Sequence, residues 1–217
     1  MTVHPIRPRA TPPVHRQAHG PIARAIGRLW LKAFGFRLEG QRPSVEKYVL
    51  IAAPHTSNWD AFFMLAFSFV LDMNLRWMVK HSIVKGPFGW FLRKLGALPV
   101  DRRSPQNMVE DIADEFARSD ELVLAVPPEG TRKRTEHWKT GFYYIALKAG
   151  VPIVPTVLDY GKKLGRVYAP FTPTGDIEAD MKRLASLYEG AVGKVPANHG
   201  PARVRPAAED TLRAAAG

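Results

Sequence analysis

The chain has 217 residues, 46% of them hydrophobic and 24% charged, which suits one α/β core of ordinary globular composition. It contains no cysteine, and this excludes a disulfide framework, a cysteine-bound metal and a thiol nucleophile. The 31 Lys and Arg against 20 Asp and Glu leave a net charge of +11, which calls for an anionic partner without choosing between nucleic acid and an acidic membrane surface.

Residues 1–20 are rich in Pro, His and Arg and lack an apolar stretch of signal-peptide length, so they read as a disordered basic arm with no secretion signal. Residues 1–40 hold seven basic side chains and one acidic one, a net +6 that concentrates the charge at this end. Pro21 is placed to open a helix. Ile22, Ile26, Leu29, Trp30, Ala33 and Phe34 recur at helical spacing, while Arg24, Arg28 and Lys32 lie four apart on another side. Residues 21–38 are therefore expected to form an amphipathic helix with two candidate destinations. Its apolar stripe can enter a lipid headgroup layer, or it can pack on the protein's own core and leave the basic face solvated.

The apolar run 48–53 predicts a buried strand, and 61–71, free of Gly and Pro, predicts a helix. Spanning a bilayer takes about 20 such residues, so no transmembrane helix is expected. Further strands are expected at 75–79, 97–100, 121–126, 152–158 and 166–168, and helices at 87–95, 107–118, 140–148 and 178–189. The remainder, 191–217, reads as a loose tail. This alternation predicts an α/β fold with a mostly parallel or mixed central sheet flanked by helices. In such sheets sites gather at the strand ends.

The junction between the first strand and its helix reads Ala53-Pro54-His55-Thr56-Ser57-Asn58-Trp59-Asp60. Five residues apart on one continuous helix, His55 and Asp60 would point apart, so their pairing requires a turn. Ser57 or Asn58 as N-cap supplies one. A carboxylate on one imidazole nitrogen fixes the tautomer and leaves the other nitrogen to take a proton. The plainer alternative is a capping Asp60 and a loop-filling His55.

Three later stretches bear on that choice. One runs from Lys85-Gly86-Pro87 through Gly96 to Arg102, the second is Pro127-Pro128-Glu129-Gly130-Thr131-Arg132, and the third is Val151-Pro152-Ile153-Val154-Pro155. With the His55 block, their order resembles the four sequence blocks of the PlsC-like glycerolipid acyltransferase family, over roughly residues 45 to 175. The chain departs from the family pattern at Pro54, where Asn is usual, and at Pro127, where Phe is usual.

The resemblance implies an acyltransferase domain over 39–190. It would move a fatty acyl group from an acyl thioester (acyl-CoA or acyl carrier protein) to the hydroxyl of a lysophospholipid such as 1-acylglycerol-3-phosphate. His55 would be the base and Asp60 its orienter. The family's acceptor-binding role carries over to Arg102, Glu129, Gly130, Thr131 and Arg132, and Lys80 is a further candidate cation near the acceptor phosphate. Arg102 can equally pair with Asp101, and Glu129 can instead tie its own turn together. No cofactor and no metal are expected, because the histidines show no trusted ligand spacing. The stripe Phe62, Phe63, Leu65, Ala66, Phe69 and Val70 suits a core and also the lining of an acyl tunnel. The expected partners are the thioester donor, the lysophospholipid and an anionic membrane surface, at the cytoplasmic face of the cell membrane. No nucleic acid is expected, since no stacking pattern of interleaved aromatic and basic residues occurs. The competing reading is a non-catalytic basic protein that binds anionic lipid.

Overall fold

The structure, a computed structural model, describes residues 19–80, 84, 86, 88–100 and 105–205. The chain begins with helix α1 (Pro21–Phe34), strands β1 (Arg37–Glu39) and β2 (Lys47–Ala53), helix α2 (Trp59–Leu71) and strand β3 (Leu75–Lys80). Helix α3 (Gly89–Lys94), strand β4 (Ala97–Val100), helix α4 (Pro105–Arg118), strand β5 (Leu122–Val126) and helix α5 (Gly141–Ala149) follow. Strands β6 (Ile153–Asp159) and β7 (Leu164–Val167), helix α6 (Ile177–Ser186) and a 3-10 turn at Pro196–Asn198 complete it.

The strands form one seven-stranded sheet in the order β1-β7-β6-β2-β5-β3-β4. All neighbours are parallel except β6 and β7, which pair antiparallel. The sheet is therefore mixed, as expected, because β6 and β7 are joined by a turn too short for a parallel crossover.

Strand β2 shows why the fold needs helices on both sides. Val49, Ile51 and Ala53 belong to the core cluster that includes Phe116 of α4, Phe142 and Ile145 of α5, and Met181 and Leu184 of α6. Tyr48 and Leu50 alternate to the other face, with Met73 and with Met64 and Leu71 of α2. A strand buried on both faces reads as a continuous apolar run, which is how 48–53 reads in the sequence.

Helix α1 packs on α2. Gly27 is buried there, and a Cβ on it would lie 2.7 Å from the Ala66 carbonyl oxygen. The aromatic residues Trp30, Phe34, Phe36 and Phe63 pack around this contact. Yet Ile22, Ile26 and Leu29 stay 76%, 56% and 68% exposed. The stripe is thus divided: one edge docks on α2 and the other faces out. No helix among the described residues is long and apolar enough to cross a membrane.

Several boundaries differ from expectation. Helix α1 stops at Phe34, because Gly35 turns left-handed (φ 72°) and the Phe36 N–H bonds back to the Leu31 carbonyl. The chain then enters β1, whose three residues carry no readable alternation. The last strand begins at Leu164, its placement set by pairing with β1 and β6. The described part of the expected loose tail, residues 191–205, is tied in: the Trp138 N–H bonds the Arg203 carbonyl, and the Val195 N–H bonds Thr56 Oγ1.

Replacing a mid-helix glycine by alanine normally stabilises a helix by about 1 kcal/mol. At Gly27 the carbonyl contact reverses the sign, and Gly27→Ala should loosen α1 by roughly 1–3 kcal/mol. Reduced hydrogen-exchange protection of the α1 amides, with the central strands unchanged, is the expected reading. Increased protection would mean that the α1–α2 contact has slack.

Candidate active site

The three central strands β6, β2 and β5 run parallel, so their C-terminal ends lie side by side, with adjacent strands about 4.8 Å apart. Each end delivers part of one site. The Ala53–Pro54 peptide bond, which is cis, leads from β2 into the His55 loop. His55 Nδ1 lies 3.1 Å from Asp60 Oδ2, with the histidine side chain 24% exposed and the aspartate 6%. The expected turn is present: the N–H groups of Thr56 and Ser57 donate to the same Asp60 Oδ2, at 2.8 and 2.9 Å. Asn58 occupies the N-cap position of α2 without a side-chain capping bond, and Asp60 in the first turn closes the loop in its place.

The other Asp60 oxygen, Oδ1, accepts a 2.8 Å bond from the Tyr160 hydroxyl just beyond β6. Burial, and then the bond to Asp60, push that phenol well above its ordinary range. Four donors therefore converge on one carboxyl, which acts as an acceptor at every contact. Nδ1 of His55 is then the N–H donor, and Nε2 keeps the lone pair. Tyr160 stands 100 residues from Asp60 in the chain, and sequence spacing carried no sign of the contact.

The Glu129 carboxyl follows β5 and does not face the cavity. It is 5% exposed, and its Oε1 accepts a 2.9 Å bond from the backbone N–H of His55. The side chain turns under the loop that bears His55. This differs from the alternative in which Glu129 ties its own turn. Its Oε2 is buried without a protein hydrogen-bond partner, as is the Tyr188 hydroxyl. Burial raises the Glu129 carboxyl above the ordinary glutamate range, and the His55 N–H opposes the shift.

Gly130, Thr131 and Arg132 do line the cavity. Gly130 sits at φ 64°, and a Cβ there would meet the Lys139 side chain at 2.8 Å, so glycine is required. Its N–H is committed to the Pro127 carbonyl, at 3.1 Å. Exposed Arg132 bonds through Nη1 to Asn58 Oδ1, which joins this loop to the start of α2. Arg102 and the Lys80 side chain lie outside the described residues. Their strands can still be placed: β3 is next to β5, and β4 forms the sheet edge, three strands from β2.

A cavity of about 1650 Å³ opens beside His55 and Asp60. It exceeds the roughly 300–1,000 Å³ of a usual small-molecule pocket, so it has room for two substrates. One part follows the α2 side of the sheet past Leu50, Ala52, Met64 and Trp77, and another reaches Phe142 and Ile145 of α5. Leu65 of the α2 stripe lines it, whereas Phe63 and Ala66 are buried in the core under α1. The stripe is thus divided between the core and the cavity wall. Lys133 and Lys139, not singled out from the sequence, join Arg132 at the lining. The phrase Trp138-Lys139-Thr140 was the only signal that could have found Lys139. His137 also lines the cavity. Among the described residues no group of three or more His, Asp or Glu could hold a metal.

A family model described as Acyltransferase matches residues 35–159. The 1-acyl-sn-glycerol-3-phosphate acyltransferase of Haemophilus influenzae is 28% identical over 189 residues, covering 77% of this chain and 77% of its own. That of Pseudomonas aeruginosa is 28% identical over 134 residues, 58% of this chain and 50% of its own. That of Streptococcus pneumoniae is 31% identical over 110 residues, 51% of this chain and 40% of its own. The chain thus spans only about half of some relatives it matches. The crystal structure of the 1-acyl-sn-glycerophosphate (LPA) acyltransferase, PlsC, from Thermotoga maritima superposes with a TM-score of 0.52 over 76% of this chain and 75% of its own. At 15% identity that likeness speaks for the fold. With the family model spanning more than half of its length, and the matched region carrying the His55–Asp60 junction and the three strands that assemble it, this chain belongs to the acyltransferase family.

Proposed function

We propose that this chain transfers a fatty acyl group from an acyl thioester, acyl-CoA or acyl carrier protein, to the hydroxyl of a lysophospholipid such as 1-acylglycerol-3-phosphate. The observation that carries the reading is the His55–Asp60 pair at the mouth of a large, mainly apolar cavity with Arg132, Lys133 and Lys139 at its lining. Nε2 of His55 takes the proton of the acceptor hydroxyl, and the oxygen attacks the thioester carbonyl. The tetrahedral intermediate collapses, the carbon–sulfur bond breaks, and the thiolate takes the proton from the His55 imidazolium and leaves as a free thiol. Asp60 keeps the ring in the required tautomer and stabilises the imidazolium. The acyl group arrives activated, so the reaction needs no cofactor. Arg132 suits bidentate contact with the acceptor phosphate, and the two lysines add charge.

The exposed edge of α1 supports docking on an anionic membrane, which is where a lysophospholipid resides. Ile22, Ile26 and Leu29 face out beside Arg28 and Lys32, the arrangement of a helix lying in the headgroup layer. We place this at the cytoplasmic face of the cell membrane, where thioester donors are available.

The decisive assay incubates the protein with an acyl thioester and 1-acylglycerol-3-phosphate in mixed micelles and measures released thiol. Thiol release that depends on the acceptor and is lost in His55→Ala is expected. Equal release from both proteins would refute the enzymatic reading and leave a non-catalytic binder of anionic lipid. Tyr160 is a positioning residue in this scheme, acting through Asp60. A hydrogen bond to a charged group is worth about 1.5–3 kcal/mol, so Tyr160→Phe should lower kcat roughly ten- to hundredfold, with KM for the acceptor nearly unchanged. A change confined to KM would place Tyr160 on the substrate instead.

Glu129 gives a stability test with a defined sign. Its folded-state carboxyl holds a proton more tightly than the unfolded chain does. The folded state therefore loses stability as pH rises above the ordinary glutamate range, and levels off beyond the raised value. Glu129→Gln keeps an acceptor for the His55 N–H and has no proton to lose. Its denaturation midpoint relative to the parent should climb as pH rises above the ordinary glutamate range and then level off. Parallel pH profiles would show that Glu129 titrates as an ordinary surface carboxylate.

A further inference from the structure

Away from the catalytic pair, α3 presents a second cluster of exposed aromatic residues. Phe88, Trp90 and Phe91 are 73%, 62% and 48% exposed. Their place is fixed, because Gly89 beside them is buried so closely that a Cβ would lie 1.9 Å from the Val84 carbonyl oxygen. Trp90 and Phe91 meet edge to face at 6.0 Å, and Lys94 Nζ sits 5.1 Å from the Trp90 ring centre. Leu92 and Leu95, on the same short segment, line the cavity. One turn of helix is thus all that separates the exposed rings from the cavity.

The charge around the cluster names its partner. Arg93 and Lys94 of α3 are exposed, and the sequence from residue 73 to residue 100 holds no acidic side chain. A protein partner on such a surface would need a matching acidic face. An anionic bilayer supplies negative charge at the headgroups and apolar depth beneath them. Trp and Lys side by side suit that boundary, with the ring at the headgroup level and the ammonium reaching toward water.

We propose that α3 is a second membrane contact, in which Phe88, Trp90 and Phe91 enter an anionic bilayer while Leu92 and Leu95 face the cavity. The proposal rests on the membrane docking inferred for α1, and adds to it. With both contacts seated, the cavity wall at α3 borders the acyl layer, so a lipid chain passes between bilayer and cavity without crossing water. The occupant is the lipid surface itself.

The protein has no cysteine of its own among the described residues or in the rest of the chain, so single labelling sites can be introduced. An environment-sensitive fluorophore is attached in separate proteins to Trp90→Cys, to Ile26→Cys on α1, and to Lys182→Cys on the exposed side of α6. Each is mixed with vesicles of phosphatidylglycerol and phosphatidylcholine, and with vesicles of phosphatidylcholine alone. The proposal expects the labels at 90 and 26 to shift blue and resist iodide quenching on the anionic vesicles only, while the label at 182 stays in water. A companion protein with Phe88, Trp90 and Phe91 all changed to Ser should bind those vesicles at least about tenfold more weakly, with an unchanged circular dichroism spectrum. A label at 90 that stays quenchable while that at 26 is protected overturns the α3 contact and leaves α1 docking intact. Quenching at both positions overturns the contact together with the membrane reading beneath it. The Ser variant's vesicle affinity equalling the parent's would also overturn it, whatever the labels report.

Discussion

A carboxyl buried in protein is costly unless its oxygens are met by donors, and at Asp60 that requirement gathers the site. One oxygen receives the His55 ring and the N–H groups of Thr56 and Ser57, and the other receives the Tyr160 hydroxyl. These donors come from the loop after β2 and from the end of β6, while the carboxyl itself rides on the first turn of α2. Removing the carboxyl would leave two backbone N–H groups and a buried phenol unpaired, so the loop geometry and the catalytic pairing are one constraint. The parallel register of β2 and β6, which aligns Ala53 with Val157, brings the two ends close enough for it.

Beneath the loop the third central strand does similar work from the other side. Glu129, after β5, takes the His55 N–H, so the residue proposed as base is held by its ring from the first turn of α2 and by its backbone from the end of β5. The two carboxyls differ in how well they are satisfied. Asp60 has donors on both oxygens, whereas Glu129 has a buried oxygen with none. Burial raises the Glu129 carboxyl above the ordinary glutamate range, while its other oxygen fixes the loop. The segment around 193–198 covers the arrangement: Gly193 packs so tightly on Thr56 that a Cβ would fall 2.6 Å from its methyl group.

The charge surplus and the exposed apolar residues belong to one picture. Helix α1 docks on α2 by one edge and leaves Ile22, Ile26 and Leu29 outside, and α3 does the same with its aromatic rings. Gly27 brings α1 into close backbone contact with α2, and Gly89 brings the start of α3 into close contact with the backbone of Val84. Such contacts fix a short helix without using its large side chains, which remain exposed.

The chain order of strands and helices, the mixed sheet and the His55–Asp60 turn were legible from local signals: apolar runs of strand length, a cap residue at the junction, and prolines that stop β5. Gly130, Thr131 and Arg132 were legible as a turn at a strand end. Strand β1 was not, because three residues hold no periodicity and its pairing with β7 lies more than 120 residues away in the chain. Nor was the direction of the Glu129 side chain, or the packing of 191–205. What the sequence by itself determined was which residues are reactive and which stretch bears them, since spacing and residue type act locally. Only the tertiary structure decided which groups meet: that Tyr160 completes Asp60, that Glu129 bonds the backbone of His55, and that Lys139 joins Arg132 at the cavity. Those contacts follow from the order in which parallel strands lie side by side, and no local pattern encodes that order.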